Sequence, residues 1–163
     1  MIVLGVDPGL TATGYAVLEA TDGRLQVREC GCARTRGRQP VESRLRQIYE
    51  ELEKVLARWR PGVTVLEGLY ADYEFPRTAI LMGHVRGVIC LAADRSGARV
   101  LEIAPAELKH ALTGSGRASK EQIKRAVSRM LALKSPPKSE HVCDALALAV
   151  VGAGREGVEV SPE

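Results

Sequence analysis

The order of the apolar patterns along the chain is the feature that most restricts its fold. Three runs rich in Val, Leu and Ile occupy residues 2–6, 14–19 and 25–35, and turn-forming residues separate them. Short apolar runs bounded by turn signals predict strands. A Thr-Asp-Gly sequence at 21–23 predicts a hairpin between the second and third runs. The beginning of the chain therefore predicts three consecutive hairpin-linked strands.

The following part of the chain alternates helical and strand patterns. Residues 41–59 carry apolar side chains at helical spacing, and residues 77–93 form a second long helical stretch. Strand-like runs follow these helices at residues 63–66 and 99–103. Parallel strands need crossover elements that cover the sheet. The pattern predicts an α/β fold with a mixed five-stranded sheet, in which three antiparallel strands precede a parallel βαβαβ unit and helices cover both faces.

Three shorter helices are expected in the last third of the chain. The first covers residues 105–112, and a glycine-rich loop follows it. Ser119 and Gln122 have the spacing of a capping box at the start of the second helix, which extends to about residue 131. The third helix is expected over residues 140–151, and the glycines after it predict a frayed end.

Length and composition favour one domain. The chain has 163 residues, of which 45% are hydrophobic and 26% are charged, as in ordinary globular proteins. No apolar run approaches the roughly 18 residues of a membrane-spanning helix, and no basic segment precedes the first strand. We expect a single domain over residues 1–152, a flexible tail over residues 153–163, and a cytoplasmic location.

The four cysteines, at positions 30, 32, 90 and 143, fit neither a zinc knuckle nor a disulfide framework. Cys30 and Cys32 would share one face of a strand, so a redox or metal role is conceivable. We expect reduced thiols that act as small core residues instead.

The distribution of charge is more informative than the net charge of +3. Eight basic residues and one acidic residue, Glu121, lie between Lys109 and Lys138. This basic block is compatible with a nucleic-acid surface or with a solvated helix face.

Carboxylates end two of the predicted strands. Asp7 follows the first strand and Glu67 follows the strand at residues 63–66, which places both at the edge where α/β sheets bind ligands. His141 and Asp144 are three residues apart on an otherwise apolar helix, so their side chains share a face. Each residue alone could cap a helix or form a turn. Together they form a candidate site for Mg²⁺ or Mn²⁺, and a pair of such ions supports phosphodiester hydrolysis.

Four motifs resemble the RuvC junction resolvases, in that family's order and spacing. They span residues 2–14 (IVLGVDPGLTATG), 65–70 (VLEGLY), 113–122 (TGSGRASKEQ) and 141–149 (HVCDALALA). The resemblance covers the chain up to about residue 151. It implies an RNase H-like fold, a homodimer and a nucleoid-associated enzyme of DNA recombination and repair.

The resemblance also implies the reaction and its partners. Such an enzyme makes paired nicks in two strands of like polarity at a four-way (Holliday) junction, and leaves 5′-phosphate and 3′-hydroxyl ends that ligase can seal. A branch-migration helicase complex of the RuvA and RuvB type is the implied partner.

Site residues carry over by position. The catalytic residues, which would bind two divalent ions with Asp7 shared between them, are Asp7, Glu67, His141 and Asp144. Tyr70 stands where the family usually has a phenylalanine that stacks on a base near the junction centre. Lys109 and Lys120 match basic residues beside the scissile phosphate, and Arg117 is expected to contact DNA as well.

Two positions depart from the family pattern. Most members have aspartate where this chain has His141, and an imidazole ligand suits Mn²⁺ better than Mg²⁺. We therefore expect higher activity with Mn²⁺. Residues 71–77 (ADYEFPR) replace the usual Lys-Asn pair after the aromatic residue, so the sequence preference for cleavage is expected to differ.

Three other functions compete with this interpretation. Residues 7–14 (DPGLTATG) also resemble the first phosphate loop of sugar and acetate kinases with the actin-like ATPase fold, but that fold needs two similar domains and leaves His141 and Asp144 unexplained. A non-catalytic junction-binding protein would keep the basic block. An RNase H-like nuclease with another substrate would keep the carboxylates.

Overall fold

The computed structural model describes residues 1–68 and 75–158 of the chain. One mixed sheet is formed by β1 (Ile2–Asp7), β2 (Ala12–Thr21), β3 (Arg24–Arg34), β4 (Val63–Glu67) and β5 (Arg99–Ile103). The helices in these parts are α1 (Val41–Trp59), α2 (Pro76–Arg95), α3 (Pro105–Thr113), α4 (Lys120–Met130) and α5 (Glu140–Arg155). The ends of several elements, such as β4, which ends at Glu67, differ by one or two residues from the sequence prediction, which is the usual uncertainty of a boundary.

The strand order is β3-β2-β1-β4-β5, with β1 at the centre. Strand β2 is antiparallel to both β1 and β3, whereas β4 is parallel to β1 and β5 is parallel to β4. The predicted sheet is therefore confirmed. This topology places the carboxyl ends of β1, β3, β4 and β5 at the same edge of the sheet.

Each face of the sheet buries a separate apolar layer, because successive side chains of a strand point to opposite faces. Leu4 and Val6 of β1 pack with Ile48 of α1 and Ile89 of α2 on one face. Val3 packs on the other face in the cluster formed with α3, α4 and α5. The predicted cover of helices on both faces is confirmed.

Helix α5 lies close against the centre of the sheet. A Cβ atom added at Gly5 of β1 would lie 2.0 Å from the carbonyl oxygen of Ala145, so backbone packs directly on backbone there. At Gly152, the backbone of α5 packs against a side chain, because an added Cβ would lie 2.3 Å from Cγ2 of Val65. Because this packing continues past residue 151, α5 ends at Arg155 and the predicted end at residue 151 was too early.

The cysteine expectation is only partly correct. All four thiols are free, and Cys143 is buried as predicted, but Cys30 is exposed. Strand β3 is an edge strand, and much of it lies at the surface.

Among the described residues, no helix is both long enough and apolar enough to cross a membrane.

Candidate active site

The parallel pairing of β1 with β4 brings two carboxylates to the same edge. Val6 is the register partner of Leu66, so Asp7 and Glu67 occupy neighbouring positions at the ends of their strands. The backbone N–H of Gly68 donates to the carbonyl of Ile103 at 2.8 Å, which holds the end of β4 against β5. The predicted crevice at the carboxyl ends of the strands is therefore present.

Gly14 allows α5 to reach this edge. It is the register partner of Asp7, and a Cβ atom at Gly14 would lie 2.1 Å from the carbonyl oxygen of His141. Only a residue without a side chain permits this approach. His141 Nδ1 then lies 2.7 Å from Asp7 Oδ2, which is hydrogen-bonding distance.

A cavity of about 530 Å³ lies at the same edge. Asp7, Glu67 and Asp144 line it together with the basic side chains of Lys109 and Lys120. Three carboxylates and two ammonium groups from five separate elements therefore meet in one concave site, as expected for a site that binds charged groups.

The environment of Asp7 disfavours its negative charge. Burial raises the pKa of Asp7 from 3.8 to about 6. The hydrogen bond from His141 acts in the opposite direction, and the negative charges of Asp144 and Glu67 raise the pKa further.

The other two carboxylates show the same trend. Burial, followed by the charge of Asp144, raises the pKa of Glu67, and the cations Lys109 and Arg86 oppose this rise. Burial also raises the pKa of Asp144, and Lys120 opposes it. Three partly buried acids that each resist ionisation form a site that a multivalent cation would stabilise.

The candidate ligands do not form a finished metal cage. In the two described ranges, no three His, Cys, Asp or Glu side chains are close enough together to hold a metal ion. His141 contacts Asp7 but is not among the residues that line the cavity with Asp144. Three of the four residues expected from the sequence share a cavity, and the fourth, His141, contacts one of these three, Asp7.

The predicted basic residues fall into two groups. Lys109 and Lys120 line the cavity, and Lys120 also forms a 3.0 Å ion pair with Glu140 at the start of α5. Arg117 is exposed in the α3–α4 loop and does not line the cavity. The capping box predicted at Ser119 and Gln122 is present and begins α4 next to the site.

Tyr70 and residues 71–74 lie outside the described residues, so the prediction for Tyr70 stays a prediction.

Arg86 is a buried residue of the site that the sequence interpretation did not identify. Its side chain is only 7% exposed, and it donates hydrogen bonds to the backbone carbonyl of Glu67 and to the carboxylate of Glu102. It thereby joins α2 to the ends of β4 and β5. The sequence does contain a sign of this role, because Arg86 lies within the apolar helical stretch at 77–93. A cation that is buried in such a helix needs specific partners.

Comparison with known proteins agrees with this geometry. The family described as "Crossover junction endodeoxyribonuclease RuvC" matches residues 3–152. A protein of that name from Rhodopirellula baltica is 45% identical over 150 residues, which cover 92% of this chain and 84% of the relative. Another, from Pelotomaculum thermopropionicum, is 40% identical over 153 residues, covering 94% of this chain and 93% of the relative.

A solved structure, "T. thermophilus RuvC in complex with Holliday junction substrate", superposes with a TM-score of 0.90 at 31% identity. The match covers 100% of this chain and 99% of that one, and it confirms the RNase H-like fold that the sequence motifs implied. The strand-end carboxylates, the two lysines that line the same cavity, the matching family and the matching fold agree. The chain therefore belongs to the RuvC family and is a crossover junction endodeoxyribonuclease, a hydrolase that acts on DNA.

Proposed function

We propose that this chain resolves four-way (Holliday) DNA junctions by paired nicks in strands of like polarity. The observation that carries the proposal is the shared cavity of Asp7, Glu67 and Asp144 with Lys109 and Lys120. Hydrolysis at such a site leaves a 5′-phosphate and a 3′-hydroxyl. These are the ends that a ligase can seal after recombination or repair.

The donor set fits divalent cations, on which nucleases of the RuvC family depend. Carboxylate oxygens are the ligands that Mg²⁺ and Mn²⁺ prefer. The pKa values of Asp7 and Glu67 are raised by burial and, to a smaller extent, by the negative charge of Asp144. Asp7, Glu67 and Asp144 would hold two ions, with Asp7 shared. When bound, the ions would supply an activated water and offset charge on the leaving oxygen.

His141 would make Mn²⁺ the preferred ion. A neutral imidazole that donates through Nδ1 to Asp7 keeps its acceptor lone pair at Nε2. His141 would therefore bind a metal through Nε2 while its Nδ1–H orients Asp7. A nitrogen ligand in place of a fourth carboxylate favours Mn²⁺ over Mg²⁺.

The basic side chains would bind the DNA backbone. Lys109 is placed near Glu67, where its charge would attract the scissile phosphate and stabilise the negative charge that develops on it. The ion pair of Lys120 with Glu140 is highly exposed on both sides, so a phosphate can compete for Lys120 at little cost. Arg117 would contact the backbone outside the cavity, and Tyr70 would stack on a base at the junction centre.

A homodimer would supply the two active sites that paired nicks require. Helix α2 presents Ile80, which is 61% exposed, and Leu91, which is 54% exposed, on the same face as Gly83 and Gly87. An added Cβ at either glycine meets no other atom within 4 Å, so the backbone between the two apolar residues is open to a second copy. These positions are spaced by three or four residues and form one stripe. A variant that combines Ile80→Lys and Leu91→Lys should therefore sediment as a monomer, whereas the wild type should sediment as a dimer.

In the cell, the dimer would act at the nucleoid together with a branch-migration helicase complex of the RuvA and RuvB type. That complex would present the junction, and the DNA strands would bind at the cavity that Asp7, Glu67 and Asp144 line.

The decisive experiment is cleavage of a synthetic four-way junction beside linear duplex and single-stranded DNA, with Mn²⁺, Mg²⁺ or EDTA. We expect symmetric, ligatable nicks in the junction alone, dependent on metal and lost in Asp7→Asn. Asp22→Asn is a matched control, because Asp22 lies in the β2–β3 turn at the other edge of the sheet. Junction binding without cutting in any metal would overturn the catalytic proposal, and equal cutting of linear duplex would overturn the junction specificity.

A further inference from the structure

A second group of basic residues lies at the edge that carries the catalytic carboxylates. Arg34 ends β3, and Arg36 and Arg38 follow in the β3–α1 loop; we call these three residues the arginine loop. Because β2 is antiparallel to both of its neighbours, β3 runs in the same direction as β1. The arginine loop therefore leaves the sheet at the same edge as Asp7.

The three arginines are exposed and unpaired. In the parts of the chain that the structure describes, none of them forms an ion pair. Glu29 on the same strand is already engaged by Arg58 and Trp59. Three neighbouring exposed cations create a positive surface potential, which favours the binding of an anionic partner.

The arginine loop is fixed relative to the catalytic strand. Thr35 donates its hydroxyl to the carbonyl of Leu10 at 2.5 Å and its backbone N–H to the carbonyl of Thr11 at 3.0 Å. The buried guanidinium of Arg44 donates to the hydroxyls of Thr35 at 2.9 Å and Thr11 at 3.1 Å. These bonds tie the loop to the segment that directly follows Asp7, so the arginines keep a defined position relative to the catalytic edge.

We propose that the arginine loop is a second phosphate-binding surface, which holds the DNA backbone on the side of Asp7 opposite to Lys109. The strand order supports this division, because β3 lies on one side of β1 and the β5–α3 connection that leads to Lys109 lies on the other. Two strand spacings separate β3 from β1, which is about 10 Å. That distance corresponds to about three nucleotides along a duplex axis.

This inference rests on the proposed function, since the DNA it would hold is the strand cut at Asp7. The two proposals make different predictions. The arginine loop would contribute to DNA binding and to the position of the DNA, whereas the cavity would carry out the cleavage. The test is therefore a binding measurement made separately from cleavage.

The measurement is the salt dependence of four-way junction binding, followed by fluorescence anisotropy in EDTA. The test variant combines Arg34→Gln, Arg36→Gln and Arg38→Gln. The matched control combines Lys54→Gln, Arg60→Gln and Arg95→Gln, which remove the same charge from exposed positions toward the opposite edge of the sheet. The slope of log K against log salt is negative, and each lost phosphate contact reduces its magnitude by about 0.9. We therefore expect the magnitude to fall by about 2 to 3 in the test variant and by less than about 1 in the control.

Two further arms identify the ligand as phosphate. The variant that combines Arg34→Lys, Arg36→Lys and Arg38→Lys should keep the wild-type slope, because point charges suffice for backbone contacts. Neutral methylphosphonates placed two to four nucleotides to either side of the cut should weaken binding of the wild type on one side, and should have no further effect there in the glutamine variant.

The outcomes separate the two proposals. An unchanged slope in the glutamine variant, or an equal loss in the control, would overturn the role of the arginine loop. A wild-type protein that cuts no junction in any metal would overturn the proposed function, and the binding slopes would still decide whether the loop contacts DNA.

Discussion

His141 Nδ1 lies 2.7 Å from Asp7 Oδ2, and this contact joins the first turn of α5 to the end of the central strand. The two residues are 134 positions apart, so the contact depends on the whole fold. Asp7 is the more protected partner, with a side chain that is 18% exposed, against 45% for His141. One oxygen of Asp7 is held by the histidine, and the carboxylate borders the cavity that Glu67 and Asp144 share.

The first prediction concerns stability and pH in the absence of metal. The pKa of Asp7 is about 6 in the folded chain and near 3.8 when unfolded, so the folded state binds the proton more tightly. The stabilisation of the fold by protonated Asp7 is complete below about pH 4 and is lost as the pH rises to about 6. Above pH 6 the ionised group destabilises the fold by up to about 3 kcal/mol.

Asp7→Asn should therefore raise the free energy of unfolding in EDTA at pH 8, by about 1 to 3 kcal/mol, and should give no gain at pH 4. Excess Mn²⁺ should reverse the order, because the wild type binds the ion better than the variant. Urea unfolding under the three conditions provides the measurement. A variant that is less stable than the wild type in EDTA at pH 8 would contradict the argument.

The second prediction concerns the preferred metal. His141→Asp replaces a nitrogen donor by a carboxylate, so the ratio of the cleavage rate with Mn²⁺ to that with Mg²⁺ should fall by about tenfold. His110→Asp, on an exposed position of α3, adds the same charge and serves as the control. Single-turnover cleavage at saturating concentrations of each ion measures the ratio. If His141→Asp leaves the ratio unchanged, the histidine is not a metal ligand.

Local signals predicted most of the fold. The bounds of α1 and β5 agree with the sequence prediction because Pro61 and Gly62 end the helix pattern and because the apolar runs are short and well separated. The end of α5 was predicted too early, since the glycines at its end were interpreted as a frayed tail. Gly152 is instead a close-packed position, because an added Cβ would lie 2.3 Å from Cγ2 of Val65, and this contact with β4 is visible only in the folded structure.

The candidate site was less completely predictable. Strand ends placed Asp7 and Glu67 together because parallel strands share an edge. Whether His141 faces the cavity or the far side of Asp7 depends on the packing of α5 on Gly14, which no local pattern contains. The same applies to Arg86, whose partners lie on strands from a different part of the chain.

The third prediction tests the close approach at Gly14. A methyl group there would overlap the backbone of His141, so Gly14→Ala should move the start of α5 away from β1. We expect a loss of about 1 to 3 kcal/mol in the free energy of unfolding and a large loss of cleavage. Gly62→Ala is the matched control, because an added Cβ at that position meets no atom within 4 Å, and it should change stability by no more than about 0.5 kcal/mol. Equal effects of the two substitutions would argue against the special role of Gly14.

The fourth prediction separates positioning by Arg86 from general stability. Arg86 donates to the backbone carbonyl of Glu67, and its charge opposes the rise that burial causes in the pKa of the Glu67 carboxyl. Arg86 therefore orients the end of β4 and favours the ionised acid. Arg86→Met should cost about 1 to 3 kcal/mol, because the carbonyl loses its buried donor. It should also raise the metal concentration needed for half-maximal cleavage by about 10- to 100-fold, as the loss of an orienting partner does in other metal sites.

Two comparisons distinguish this effect from simple destabilisation. Glu102→Gln keeps the bond of Arg86 to the Glu67 carbonyl, so it should weaken the metal dependence much less than Arg86→Met. Arg86→Lys keeps the charge but lacks the planar fork that reaches both partners, so its metal requirement should lie between those of the wild type and Arg86→Met. Cleavage is measured as a function of Mn²⁺ concentration at a temperature well below the unfolding midpoint of each variant, and the Mn²⁺ concentrations for half-maximal cleavage are compared. If Arg86→Met lost stability with an unchanged metal requirement, Arg86 would hold the helix and the sheet together without positioning Glu67.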